Sequence, residues 1–206
     1  METTAVLRRL ALAGNADAQF RMGYRLALGR HRPRRWCQAI VWWRRAATKG
    51  HARAFFYLGT CYGFGQGVPR SAARAMRFYE QAARRGDESA QYNLALGYRD
   101  GKGVARAPRR AVYWFQRAAE QNDADALRDL GVCYYEGLGT RQNWRAAVQC
   151  YRLAARLGDA RALCNLGFCY RDGVGVRRSP AKARQWFRRA TRAGNRRAKD
   201  ILLHGS

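Results

Sequence analysis

The sequence predicts an all-α protein, a right-handed α-solenoid of stacked helix-turn-helix repeats. Three observations carry that expectation. The chain matches itself at a shift of 36 residues, small and apolar residues recur at spacings of three and four inside each period, and glycines return at two fixed places per period. One hairpin cannot bury both of its apolar faces alone, so neighbouring hairpins must stack into a superhelical array.

The columns hold without an insertion. Gly14, Gly50, Gly86, Asn122, Gly158 and Gly194 fall at the interval, each followed four positions on by Ala18, Ala54, Ala90, Ala126, Ala162 and Ala198. A second set, Gly29, Gly65, Gly101, Gly137 and Gly173, marks the turn inside each repeat. Residues 1–13, with the run AVLRRLAL, read as an N-terminal capping helix, an orphan second helix. Residues 14–193 read as five hairpins, and residues 194–206 as a C-terminal partial repeat and capping helix.

Within each repeat the first helix opens on a residue such as Asp87, Asp123 or Asp159, whose carboxylate caps free N–H groups and complements the helix dipole. The second helix carries an alanine (Ala39, Ala75, Ala111, Ala147, Ala183) and then an aromatic pair: Trp42-Trp43, Phe78-Tyr79, Trp114-Phe115 and Trp186-Phe187, with Cys150-Tyr151 in the fourth repeat. Small residues at the crossings are expected to let helices approach, with the aromatics filling space between repeats. The paired glycines, such as Gly65 and Gly67 in YGFGQGVPR, invite comparison with a phosphate-binding loop. They recur between two helices in repeat after repeat and never follow a strand, so they read as turns needing positive φ.

The segments AQYNLALGYRDGKGVARAPRRAVYWFQRAAEQN and ALCNLGFCYRDGVGVRRSPAKARQWFRRATRAG resemble the Sel-one-like repeat (SLR) family, relatives of the tetratricopeptide repeat. The first repeat departs from the pattern, with His31-Arg32 where three of the four later repeats have Gly-Val. The resemblance implies a non-catalytic scaffold or adaptor that binds a protein or peptide in a concave groove lined by first helices, with second helices on the convex back. Some relatives staple each hairpin with a disulfide. Here Cys37, Cys61, Cys133, Cys150, Cys164 and Cys169 do not pair regularly by repeat, and only Cys133 and Cys150 lie on the two helices of one hairpin. Reduced thiols are the expectation.

No metal site is expected, since no C-x-x-C occurs and His31, His51 and His204 have no ligand-like spacing to the cysteines. No cofactor is expected either, and no acid/base constellation stands out among aspartates that capping already explains. Glu2, with Arg8 and Arg9 inside the first apolar stretch, argues against a signal peptide, and no run is long enough to span a membrane. A cytoplasmic location is the corresponding expectation.

The formal charge is +26, and 36 of the 40 basic residues are arginine. Such a chain attracts acidic partners at long range. The skew toward arginine fits bidentate contacts, and it fits a codon bias equally. The charge is segregated: the second helices and the turns leading into them, with the opening segment, hold only Glu2, Glu80 and Glu120 of the 14 acidic residues. The basic surface so defined includes Arg70, Arg74, Arg77, Arg106, Arg109, Arg110, Arg141, Arg145, Arg177, Arg178 and Lys182, with Arg70, Arg106, Arg141 and Arg178 as a ladder along the turn edge. It reads as a docking surface for an acidic protein or as a solvated face.

The candidate groove residues share one first-helix column: Arg21, Tyr57, Asn93, Asp129 and Asn165. An asparagine there can pair with both the donor and the acceptor of a peptide backbone. Two alternatives to the protein-binding scaffold remain at this point. One is nucleic-acid binding through the arginines, although most Trp and Tyr residues fall in columns expected to be buried. The other is an immunity or accessory factor that neutralises an acidic toxin, for which the sequence supplies only charge.

Overall fold

Capping side chains start most of the helices and left-handed glycines end them. In the computed structural model, which describes residues 3–28 and 35–204, Asp87 and Asp123 each accept the backbone N–H three residues on at 2.8 Å, and Asp159, Ser71, Asn143 and Ser179 cap in the same way. Burial raises the Asp87 carboxyl above its ordinary range, against the lowering effects of the Ala90 N–H, Arg53 and His51. The first turn, with Gly29 and His31-Arg32, lies outside the described residues.

The chain divides into two compact units, Met1–Arg106 and Ala107–Ser206. The first contains α1 (Thr4–Leu12), the hairpin α2 (Ala16–Leu28) and α3 (Trp36–Thr48), the hairpin α4 (Ala52–Phe64) and α5 (Ala72–Ala83), and α6 (Glu88–Asp100). The second contains α7 (Pro108–Ala119), the hairpin α8 (Ala124–Glu136) and α9 (Trp144–Arg156), the hairpin α10 (Ala160–Asp172) and α11 (Pro180–Arg192), and α12 (Arg196–His204). Among the described residues there is no strand, and the fold is of the all-α solenoid class.

One expectation changes in detail. In the first, second, fourth and fifth repeats the second member of the pair fills the crossing inside its own hairpin, not the space between repeats. Trp43 sits on Gly23, Tyr79 on Gly59, Tyr151 on Gly131 and Phe187 on Gly167; a Cβ on Gly59 would lie 2.7 Å from the Tyr79 ring. The Trp43 indole N–H donates to the Phe20 carbonyl at 3.2 Å, which satisfies its polar edge in the core.

The glycine turns resolve the phosphate-loop comparison. Gly65, Gly101, Gly137 and Gly173 take φ between +71° and +75°, and their N–H groups donate back to the carbonyls of Cys61, Gly97, Cys133 and Cys169. These donors close the first helices and present nothing to an anion. The column that ends the second helices is also left-handed, and its one non-glycine member, Asn122, is the only described non-glycine residue at positive φ, +64°.

The second glycine of each turn has a further role. It passes against the backbone that opens the preceding repeat's second helix: Gly67 against Trp36 and Cys37, Gly103 against Ala72, Gly139 against Pro108, and Gly175 against Trp144. A side chain there would meet main chain, so adjacent repeats touch through a position only glycine fits.

Candidate partner-binding surfaces

The five residues of the proposed groove column do not share one environment. In the first unit, Arg21 is exposed and lies 3.9 Å from Asp17. Tyr57 is half-buried in an aromatic group, with ring centroids 5.5 Å from Phe20, 5.6 Å from Tyr24, 5.1 Å from Trp43 and 5.4 Å from Phe56. Burial and the neighbouring Tyr24 push the Tyr57 phenol above its ordinary range, with Arg53 opposing. A cavity of about 170 Å³ opens beside it between Tyr24, Leu28, Trp36 and Tyr57.

Asn93 donates its amide N–H to the Ser89 carbonyl at 2.7 Å, one helical turn back. Its second N–H and its oxygen remain to pair with a ligand. It borders a cavity of about 220 Å³ walled by Phe64, Met76, Tyr79 and Leu96.

In the second unit Asn165 is half-buried, whereas Asp129 is only 8% exposed and accepts from Arg128 Nε at 2.9 Å. Arg128 itself is buried. Its Nη1 reaches Asp125 and, at 2.8 Å, the Asp159 carboxylate that caps α10, so one guanidinium joins the first helices of two successive repeats. Burial works against the charged guanidinium, but Asp129, Asp125 and Asp159 outweigh it and raise its pKa. Sequence reasoning missed this residue. The available signal was its column, where Phe20, Phe56 and Tyr92 stand in earlier repeats.

All eleven residues of the basic surface are exposed. In the first unit the Arg74 guanidinium lies over the Tyr62 ring at 5.6 Å, and Arg106 Nε donates to the Arg99 carbonyl at 3.1 Å. Arg70 is exposed at the edge of the cavity that Asn93 borders. In the second unit Arg178 Nε donates to the Arg171 carbonyl at 3.0 Å, and Lys182 Nζ lies 5.7 Å from the Tyr170 ring. The residue at the matching point of the fourth repeat is Gln142, not Arg141, and Gln142 Nε2 donates to Tyr135 O at 2.9 Å. Part of the ladder therefore closes helix ends. Arg109 and Arg110 line one cleft, and Arg141, Arg145 and Arg177 line another.

The six cysteines are free, and Cys61, Cys133, Cys164 and Cys169 are buried. Burial pushes the Cys61 thiol up to about 12 and those of Cys150 and Cys169 up to about 11. Thiolate is the reactive species, so native-state maleimide labelling followed by mass spectrometry should mark exposed Cys37 rapidly and the four buried thiols only as fast as their helices open. Rapid labelling of Cys61 would contradict this packing. Among the described residues no group of three or more His, Cys, Asp or Glu side chains converges as a metal site would require, and no helix is long and apolar enough to cross a membrane.

Comparison with known proteins matches this architecture. A family model described as the Sel1 repeat matches residues 16–51, 52–87, 88–123, 124–159 and 160–195. Among solved structures, c5321, a protective antigen present in uropathogenic Escherichia coli strains and displaying an SLR fold, is 34% identical with a TM-score of 0.94 over 100% of this chain. The chain spans 45% of that antigen's length. A Sel1 repeat protein from Oxalobacter formigenes is 29% identical, with a TM-score of 0.85 over 97% of this chain and 77% of its own. The Pseudomonas aeruginosa immunity protein Pa5087, at 23% identity and a TM-score of 0.52 over 91% of this chain and 69% of its own, shares the fold. No curated protein sequence matches. The tandem match over residues 16–195 follows the same 36-residue period as the helices and glycine turns, and the chain belongs to the Sel1 repeat family.

Proposed function

We propose that this protein is a non-catalytic interaction scaffold that holds an acidic protein or peptide partner against its first-helix surface. Sel1 repeat proteins are typically protein-interaction scaffolds. The observation that carries the reading here is the aromatic surface of α2 and α4, where Tyr24 is 38% exposed beside Phe20 and Tyr57, Phe56 packs on Tyr57, and exposed Arg21 is on the same helix as Tyr24. Large, stiff aromatic side chains next to an arginine are what interface hot spots are made of. The formal charge of +26 favours an acidic partner by steering its approach.

A photo-crosslinking residue placed at Tyr24 or Asn93 in the native host should capture a discrete protein, and one at Arg188 on α11 should not. Equal capture from all three sites would remove the groove reading. The partner recovered should lose roughly tenfold or more in affinity for the Tyr24→Ala/Tyr57→Ala variant.

A further inference from the structure

The second unit contains a cleft whose chemistry differs from the first-helix surface. It has a volume of about 880 Å³ and lies where the turn between α10 and α11 passes the start of α9. Arg141, Arg145 and Arg177 line it, all exposed, and no carboxylate does among the described residues. Trp144 forms part of the wall and is 47% exposed.

That tryptophan has no structural motive at its position. Its column holds Ala72, Pro108 and Pro180 in other repeats, and proline at the first position of a helix suits the missing N–H and the fixed φ. Trp36, at the same point of the first hairpin, is partly buried against the core. Trp144 stacks on no other ring and under no cation among the described residues. It leaves a large π-face open to solvent beside guanidinium groups without carboxylate partners.

We propose that this cleft binds single-stranded nucleic acid, with a base stacked on Trp144 and the flanking phosphates held by Arg141, Arg145 and Arg177. Planar guanidinium forks match phosphate oxygens in pairs, and an aromatic face accepts any base. A stacked base uses the open indole face together with the charges, and competition by poly-glutamate separates this occupant from an acidic peptide. One repeat earlier Arg109 and Arg110 line the corresponding cleft beside Gly139, which offers a strand further phosphate contacts that a mononucleotide cannot use. Because the cleft shares no residue with the aromatic surface of α2 and α4, either reading can fail without the other.

The test is fluorescence anisotropy of the full chain with a fluorescein-labelled oligothymidylate at two salt concentrations. Trp144→Ala should weaken binding roughly tenfold. Arg141→Gln/Arg145→Gln/Arg177→Gln should weaken it at least as much and flatten the slope of log affinity against log salt by about 2, the value for three phosphate contacts. Arg184→Gln/Arg188→Gln/Arg192→Gln removes the same charge from α11 and should leave the dependence on Trp144 intact. Circular dichroism should show the same helix content in all variants, since every substituted side chain is exposed. The proposal is overturned if Trp144→Ala binds as the parent does, or if the α11 variant loses as much as the cleft variant. It is also overturned if thymidine monophosphate or a poly-glutamate of matched charge displaces the strand as well as unlabelled strand does.

Discussion

Gly175→Ala should destabilise the protein by about 2–5 kcal/mol, combining the left-handed backbone penalty with overpacking against a neighbour that cannot yield. Gly175 has φ +71°, and a Cβ there would lie 2.7 Å from the carbonyl carbon of Trp144, which is main chain. A domain of this size loses about 2–4 °C of Tm per kcal/mol, so a drop of roughly 4–20 °C is expected. Gly158→Ala separates the two contributions. Gly158 has φ +91° but nothing within 4 Å of the added methyl, so only the backbone penalty of about 1–2 kcal/mol applies. Thermal melts of the two variants should differ accordingly. Equal losses would mean that the contact between turn and preceding helix contributes nothing. Hydrogen exchange should locate the Gly175→Ala effect in α9, α10 and α11.

Arg128→Met should cost about 3–5 kcal/mol, because it leaves a buried carboxylate without its cation. Asp129 is 8% exposed, and the Asp159 side chain is 10% exposed while it caps α10. Removal of the guanidinium therefore strands charge at the join between the first helices of the fourth and fifth repeats. Asp125, with its side chain 59% exposed, adds little to the penalty. The paired exchange Arg128→Met/Asp129→Leu should recover most of the loss, since a buried ion pair replaced by apolar groups of similar size is often neutral or stabilising. Chemical denaturation of the single and double variants measures this coupling. A double variant as unstable as the single one would show that the cluster matters by shape and not by charge.

These two sites also show where sequence reading succeeds and stops. Gly175 belongs to a column, and a residue demanded by backbone conformation repeats wherever that conformation does. The same holds for the capping aspartates and the aromatic pairs. Arg128 breaks its column of Phe20, Phe56 and Tyr92, because its partners Asp125, Asp129 and Asp159 come from its own repeat and the next. The shared column predicts a groove residue at Asp129, but its neighbour Arg128 draws it into the interior. Trp144 was hidden for the opposite reason. The aromatic columns are buried, and the exposed tryptophan is the one outside them.

The fourth repeat carries a natural experiment. Where Arg106 and Arg178 donate Nε to a carbonyl in the last turn of the preceding first helix, Gln142 makes the same bond with a neutral amide. The scaffold thus accepts a charged or a neutral donor at this point. Positive charge along this edge is a layer that can be dialled down by Arg106→Gln and Arg178→Gln while the helix ends stay closed. Folding and electrostatic attraction, superimposed in the same side chains, become independently adjustable.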